Sequence, residues 1–335
     1  MTGAAPIKRT VAWSLLRSGA LRLHRSHFEK GRAILLAYHR VNDERDPFFP
    51  SLPRSDFAAQ VDYIASRYRV EPLDAVVAWL ADGAPGPSRV AITIDDGYPD
   101  TFEVVLPILE GRGLPATLFL ATGPPETGEP LWIDRIRWVL KHARATVLDV
   151  PALGLPSSGL GRPSARLELL ARLLRQLKAL GPKDVEDAVA TLEAALQPQG
   201  PPLRLLRWPE VRRMTEGGIS LAGHTHRHYM LSRLDEGKQE DEITTCLRLI
   251  EERAGRQVTS FAYPNGDPED YDGRTIAILR RLGLRCAVTC RRGLARPGQD
   301  PFQLPRLYTN EPSLALFAAR LAGLGQEERG RVEVS

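Results

Sequence analysis

A chain of 335 residues with 43% hydrophobic and 26% charged residues is globular, long enough for one large α/β domain or two smaller ones, and neither disordered nor fibrous. Its longest uncharged apolar runs, such as Ala33–Tyr38, fall far short of the ~20 residues a membrane-crossing helix needs. The net charge of +4 is unevenly placed, with eight Lys and Arg against one acid in residues 1–40, so the remainder is slightly acidic and carries no aromatic-interleaved basic patch for nucleic acid.

Residues 1–32 read as a basic amphipathic arm. Val11, Ala12, Leu15, Leu16, Ala20 and Leu23 recur at helical spacing, and Trp13 and Leu21 widen the apolar arc. Such a helix either lies on an anionic membrane surface or docks on the domain behind it. Arg17 interrupts the apolar stretch Val11–Leu23 and no small-residue cleavage site follows. The expectation is therefore a mature chain that starts near Met1 and stays cytoplasmic, at the membrane surface where the arm engages it. Cys246, Cys286 and Cys290 are too few and odd in number for a disulfide framework, and none has metal-ligand spacing, so they read as reduced packing residues.

From Ala33 the pattern alternates strand, loop and helix. Ala33–His39 reads as a buried strand, 56–68 as a helix, and Arg89–Asp96 as a strand whose alternating Val90, Ile92 and Ile94 run into two acids and a glycine. A helix over 101–111 and a strand over 116–121 continue the rhythm, which is that of a parallel sheet or barrel. Between about 124 and 206 the rhythm breaks into Leu- and Ala-rich helical segments, read as an α-helical insertion. Strands resume at 218–223, 259–263 and 285–289, with helices over 240–254 and 274–282. The domain reading is an arm at 1–32, one catalytic-type α/β domain at 33–310, and a short helix with a charged tail at 311–335.

His224, His226 and His228 fall within five residues directly after an apolar strand. If the strand continues, all three face one side; if a helix starts, His224 and His228 share a face without His226. The pair His224/His228 survives either geometry and suits a borderline metal such as zinc, with a carboxylate as the natural third ligand. Asp95 and Asp96 supply it, since one can hold a cation while the other takes a proton from activated water. Two vicinal acids standing alone would more often be a helix-capping turn.

On these residues the chain resembles the metal-dependent polysaccharide deacetylases, the NodB-homology or carbohydrate esterase family 4 proteins. Thr93-Ile94-Asp95-Asp96-Gly97 is similar to the family's T-F-D-D-G motif, and His224 through His228 to its histidine motif. Phe261-Ala262-Tyr263-Pro264-Asn265-Gly266 is similar to the F-A-Y-P-x-G segment of one subgroup, and Tyr38-His39-Arg40-Val41 to that subgroup's opening strand. The resemblance implies a distorted (β/α) barrel of the NodB-homology type carrying the insertion. It implies hydrolysis of N-acetyl groups on amino sugars of a polysaccharide or a lipid-linked glycan precursor, as in exopolysaccharide metabolism. Position by position, Asp96, His224 and His228 would ligate a divalent metal, Zn2+ first and Co2+, Ni2+ or Mn2+ next. Asp95 would be the general base, the Asn265 backbone N–H would hold the oxyanion, and Thr225 would support the ligands, with His226 behind them or exposed.

Two departures stand out. Ala262 occupies a position where many relatives carry an arginine that orients the catalytic aspartate, and Leu304-Pro305-Arg306-Leu307 replaces a late segment whose histidine is the general acid. His39 is then a candidate acid, and Arg306 a candidate to bind substrate or to orient Asp95. Trp132, Asp134 and Arg135 open the insertion as candidate sugar contacts, with Trp138 a packing residue. The other readings are a deformylase or other deacylase of a lipid-linked sugar, and a non-catalytic carbohydrate-binding protein on the same scaffold. A carbohydrate is the expected partner in each, and nucleic acid in none.

Overall fold

The computed structural model describes residues 31–323 except 155, 156 and 312, so the basic arm of residues 1–30 and the tail of residues 324–335 lie outside the described residues. Seven parallel strands close a barrel: β1 (Ala33–Tyr38), β3 (Arg89–Asp96), β4 (Ala116–Leu120), β7 (Ile219–Gly223), β8 (Ser260–Ala262), β9 (Cys286–Arg292) and β10 (Leu304–Tyr308). Closure is made by β1, which pairs with β10 on one side and with β3 on the other, from Ala33↔Arg89 to Tyr38↔Ile94. The two-residue strand β2 (Arg69–Val70) extends beyond β3. The expected (β/α) barrel is thus the fold observed.

The period-2 alternation of each strand sets the two layers. Ile34, Leu36, Val90, Ile92, Ile94, Leu118 and Leu221 face the helices, packing on residues such as Phe57 and Val61 of α1 (Arg54–Ala65) and Val211 and Met214 of α8 (Trp208–Glu216). Ala33, Leu35, Ala91, Phe119, Ala222, Ala262 and Val288 form another cluster on the opposite strand faces, where mostly small side chains suit a narrow barrel interior. The α2 helix (Leu73–Ala81) has no counterpart in the sequence reading, because its LDAVVAWLA sequence is nearly all apolar and shows no clear period. The segment read as one helix over 101–111 is a π-helical turn, Thr101–Val105, running into α3 (Leu106–Glu110).

Between β4 and β7 lie the short α4 (Gly123–Thr127), α5 (Trp132–His142), a small antiparallel hairpin of β5 (Val147–Leu148) and β6 (Ser158–Gly159), α6 (Pro163–Leu177) and α7 (Pro182–Leu196). The leucines of α6 and α7 pack with Ile136, Val139 and Leu140 of α5 in a core separate from the barrel's. That core also takes in Phe48, Phe49 and Tyr98 from loops after β1 and β3, and Tyr229 and Met230 from the loop after β7. The helices therefore sit over the C-terminal ends of the strands, the end where (β/α) barrels carry their chemistry. The remaining helices are α9 (Glu236–Ala254), α10 (Gly273–Arg281) and α11 (Leu314–Leu321).

Candidate active site

Thr93 and Asp95 share the inward face of β3 with Ala91, and by alternation Asp96 would point out toward the helices. It does not, because Asp96 is in the left-handed region (φ +75°), which ends the extended run and swings its carboxylate toward the loop after β7. Gly97 follows at φ +102°, and a Cβ there would stand 2.7 Å from Leu120 Cδ1, so the D-D-G sequence needs its glycine for both conformation and space.

The histidines come together in a way neither a strand nor a helix provides. After Gly223 the chain is an irregular loop in which Thr225 and His228 both have φ +62°. The Thr225 hydroxyl accepts the His228 N–H at 2.9 Å, and the buried Glu242 of α9 accepts the His226 and Arg227 N–H groups at 3.1 and 2.8 Å. This pins the turn so that His224 and His228 face each other, Nε2 to Nε2 at 3.1 Å, while His226 turns away to the Thr122 hydroxyl. Both Nε2 atoms lie 3.3 Å from Asp96 Oδ1. Of the seven non-glycine residues in the left-handed region among the described residues, four are Asp96, Thr225, His228 and Asn265, so strained backbone is concentrated at this site.

The three groups fit a divalent cation. Ala262 O accepts a 2.7 Å hydrogen bond from His224 Nδ1, which fixes the proton on Nδ1 and leaves the Nε2 lone pair aimed at Asp96 and His228. Asp96 Oδ1 is buried without a well-formed hydrogen bond. Asp96, His224 and His228 each present one donor atom, all within 4.8 Å of one another, an N2O set of the kind catalytic zinc sites use with an open position. Burial opposes the Asp96 charge, but the imidazoles of His224 and His228 beside it hold its carboxyl well below the usual carboxylate range. Burial also lowers the proton affinity of both histidines; Asp96 more than offsets this at His224 and does not at His228, which is left below its ordinary value and thus neutral.

Asp95 is set apart from this cluster by Arg306. The guanidinium, fully buried, makes a two-pronged pair with Asp95, Nη1–Oδ1 and Nη2–Oδ2 both 2.7 Å, and is itself fixed by Thr93 Oγ1 and Thr289 O at 3.1 Å each. Burial would raise the Asp95 carboxyl, but Arg306 offsets it and keeps the group below its ordinary value. The structure therefore places Arg306 as the residue orienting Asp95, filling in from β10 for the arginine missing at Ala262; with no exposed surface it is not a substrate contact. His39 ends at the mouth of the cavity, its Nε2 3.7 Å from Asp95 Oδ2 and its ring stacked on Tyr308.

Other residues stand differently from the sequence reading. Trp132 is 3% exposed and donates Nε1–H to His228 O at 3.1 Å, so it braces a histidine and offers no face to a sugar. Asp134 is buried under the Tyr98 hydroxyl, and Arg135 pairs with Glu186 and Glu193 of α7; none of the three is a sugar contact. Asn265 borders the cavity, as do Asp95, Asp96, His224 and His228. Its side chain donates to Asp270 and accepts from Lys178, a residue just past the end of α6 that the sequence reading missed. Nothing in the Leu-rich sequence of α6 marks Lys178, whereas Glu242 is discoverable as the one acid on the mostly apolar buried stripe of α9.

Fold and site together give a closed barrel with a buried carboxylate, Asp95, beside an Asp–His–His cluster able to hold a cation. Residues 82–287 match the family model described as Polysaccharide deacetylase, and the chain belongs to the polysaccharide deacetylase family. It is an enzyme of that family, acting on an amide bond of a carbohydrate. YxkH of Bacillus subtilis (strain 168), named as a polysaccharide deacetylase, is 20% identical over 275 residues, spanning 82% of this chain and 70% of YxkH. Among solved structures, the Streptococcus pyogenes deacetylase PplD in complex with acetate superposes with a TM-score of 0.60 at 17% identity, covering 87% of this chain and 98% of PplD. IcaB from Ammonifex degensii gives 0.56 at 18% identity, covering 88% of this chain and 98% of IcaB. At these identities the two structures share the fold.

Proposed function

We propose that the protein is a metal-dependent deacetylase that hydrolyses N-acetyl groups from amino sugars of a polysaccharide or a lipid-linked glycan precursor. The observation that carries this reading is the convergence of Asp96, His224 and His228 beside an Asp95 held ionised by Arg306. Asp96, His224 and His228 would hold a divalent cation, zinc first and cobalt, nickel or manganese next. Such an ion supplies acidity to water and polarises a carbonyl.

The chain's own residues do the rest. The Asp95 carboxylate takes the proton of the attacking water, and Arg306 keeps it charged and correctly turned. The Asn265 N–H, at the cavity wall on a left-handed turn, donates to the oxygen of the tetrahedral intermediate. His39, close to Asp95 and facing the cavity, delivers a proton to the departing amine in place of the missing late histidine. The basic arm favours action at a membrane surface, hence the lipid-linked alternative.

The test is acetate release from N-acetylglucosamine oligomers by the metal-loaded protein. Asp95→Asn is expected to retain metal and to lower kcat by about 10²–10⁴-fold, the range for removal of a general base. Release of formate from an N-formylated sugar with no acetate from any acetylated one would replace the acetyl reading with that of another acyl group.

A further inference from the structure

The cavity over the cluster, about 250 Å³, has a cationic side that hydrolysis of a neutral acetamide does not use. Arg137 of α5 is 7% exposed, and among the described residues its one polar contact is a 3.5 Å approach of Nη1 to Asp134 Oδ1, an oxygen that already accepts the Tyr98 hydroxyl at 2.9 Å. Lys178 is largely desolvated, and its ammonium is satisfied by the amide oxygen of Asn265 rather than by a carboxylate. Burial lowers its proton affinity, the nearby Arg137 charge lowers it further, and Asp270 only partly offsets both. Arg292, the last residue of β9, borders the same cavity and makes no ion pair among the described residues.

The acids facing this space are committed elsewhere. Asp95 is taken by Arg306, Asp96 by the two histidines, and Glu311 by Arg320. Arg137 has only a long 3.5 Å pair with Asp134, whose oxygen it shares with Tyr98, and Lys178 meets an amide oxygen; desolvated cations so thinly paired are costly, and a ligand with a negative group would supply the missing charge. Guanidinium groups with free donors match the planar or tetrahedral oxygens of carboxylate and phosphate.

We propose that the acetamido sugar received by this site carries an acidic group, a carboxylate or a phosphate, bound by Arg137, Lys178 and Arg292. This rests on the deacetylase reading and adds the substrate class to it. Two of the three cations lie in the segment between β4 and β7, so the helices over the barrel mouth would set this selectivity.

The experiment is calorimetric binding to the full chain of three probes at 0.1 M salt: a neutral N-acetylglucosamine tetramer, a tetramer alternating N-acetylglucosamine with glucuronate, and N-acetylglucosamine 1-phosphate. At least one acidic probe is expected to bind about tenfold or more tighter than the neutral one, with the advantage shrinking as salt rises. Which acidic probe wins separates a uronate-containing glycan from a phosphorylated sugar. Arg137→Gln should remove most of the advantage, and Arg292→Gln, at an exposed position that folding does not depend on, should reduce it about threefold or more. Equal affinities, no measurable binding of either acidic probe, or a preference unchanged in Arg137→Gln, Lys178→Met and Arg292→Gln would overturn the proposal. Acetate release is followed in the same samples. Preference without hydrolysis would sink the deacetylase reading and leave the anion site standing, and hydrolysis without preference would do the reverse.

Discussion

Replacing Arg306 with methionine tests how Asp95 is kept charged. The substitution keeps an apolar stem but deletes two 2.7 Å bonds to Asp95 and leaves its carboxylate 2% exposed with no guanidinium beside it. Breaking a buried pair from one side typically costs about 3–5 kcal/mol, since the remaining charge is stranded. Asp95→Asn strands the guanidinium instead and should cost a similar amount, whereas the double variant Asp95→Asn/Arg306→Met strands neither. The four proteins form a thermodynamic cycle read by equilibrium urea unfolding. We expect the double variant to be more stable than the sum of the singles predicts, by about 2–3 kcal/mol, at the upper end of pairwise couplings. Arg306 touches no substrate, so Arg306→Met should depress kcat with KM nearly unchanged. Additive costs within about 0.5 kcal/mol, together with an undiminished kcat, would refute the view that Arg306 holds the base.

Burial pushes the Asp134 carboxyl up to about 6, so it favours the neutral form on folding. Its effect on stability is therefore smallest below the unfolded value near 4, grows as a penalty between about pH 4 and 6, and levels off above 6. Asp134→Asn should match the wild type at pH 4 and exceed it at pH 7.5 by up to about 3 kcal/mol, the equivalent of a two-unit shift; parallel stability curves from pH 4 to 7.5 would rule this out. Trp132→Phe removes the bond to His228 O, at a cost of about 1 kcal/mol, and should weaken metal affinity without raising KM for longer oligomers, whereas a KM that climbs with oligomer length would restore the sugar-platform reading. Glu242→Gln loses charge-assisted bonds to two backbone N–H groups of the histidine loop and should weaken metal binding about 10–100-fold, as loss of groups supporting metal ligands does, measured by competition with a chelator.

The strands that end in chemistry were legible because their apolar alternation stops at charged residues: Arg89–Asp96 is β3 to the residue, and GISLAG carries β7 up to His224. What alternation could not tell is that Asp96 joins the histidines, since that depends on its left-handed backbone and on the pinned loop of Thr225 and His228. Arg306 was readable as a candidate only through the family resemblance, because it stands in the late segment that lacks the expected histidine while Ala262 lacks the orienting arginine, and its pairing with Asp95 across the barrel needed the closed strand order. Lys178 and Arg137 were illegible. Arg137 lies in a helix whose sequence signal is an apolar stripe and Lys178 just past the end of a Leu-rich one, and their placement over the cavity follows from how those helices pack on Phe48, Phe49 and Tyr98 rather than from local spacing. The Trp132 reading failed for a related reason, because an aromatic beside an acid looks the same in sequence whether its ring meets a sugar or its N–H braces a backbone carbonyl.

The central claim is that Asp96, His224 and His228 form one cation site on which hydrolysis depends. Stripping the protein of metal and titrating it with Zn2+ by calorimetry, with acetate release followed at each addition, tests it most directly. The account predicts one equivalent bound, activity rising in step to saturation at that equivalent, and both lost in Asp96→Ala and His228→Ala. Full acetate release from the stripped protein, or stoichiometric Zn2+ binding that survives both substitutions, would contradict it.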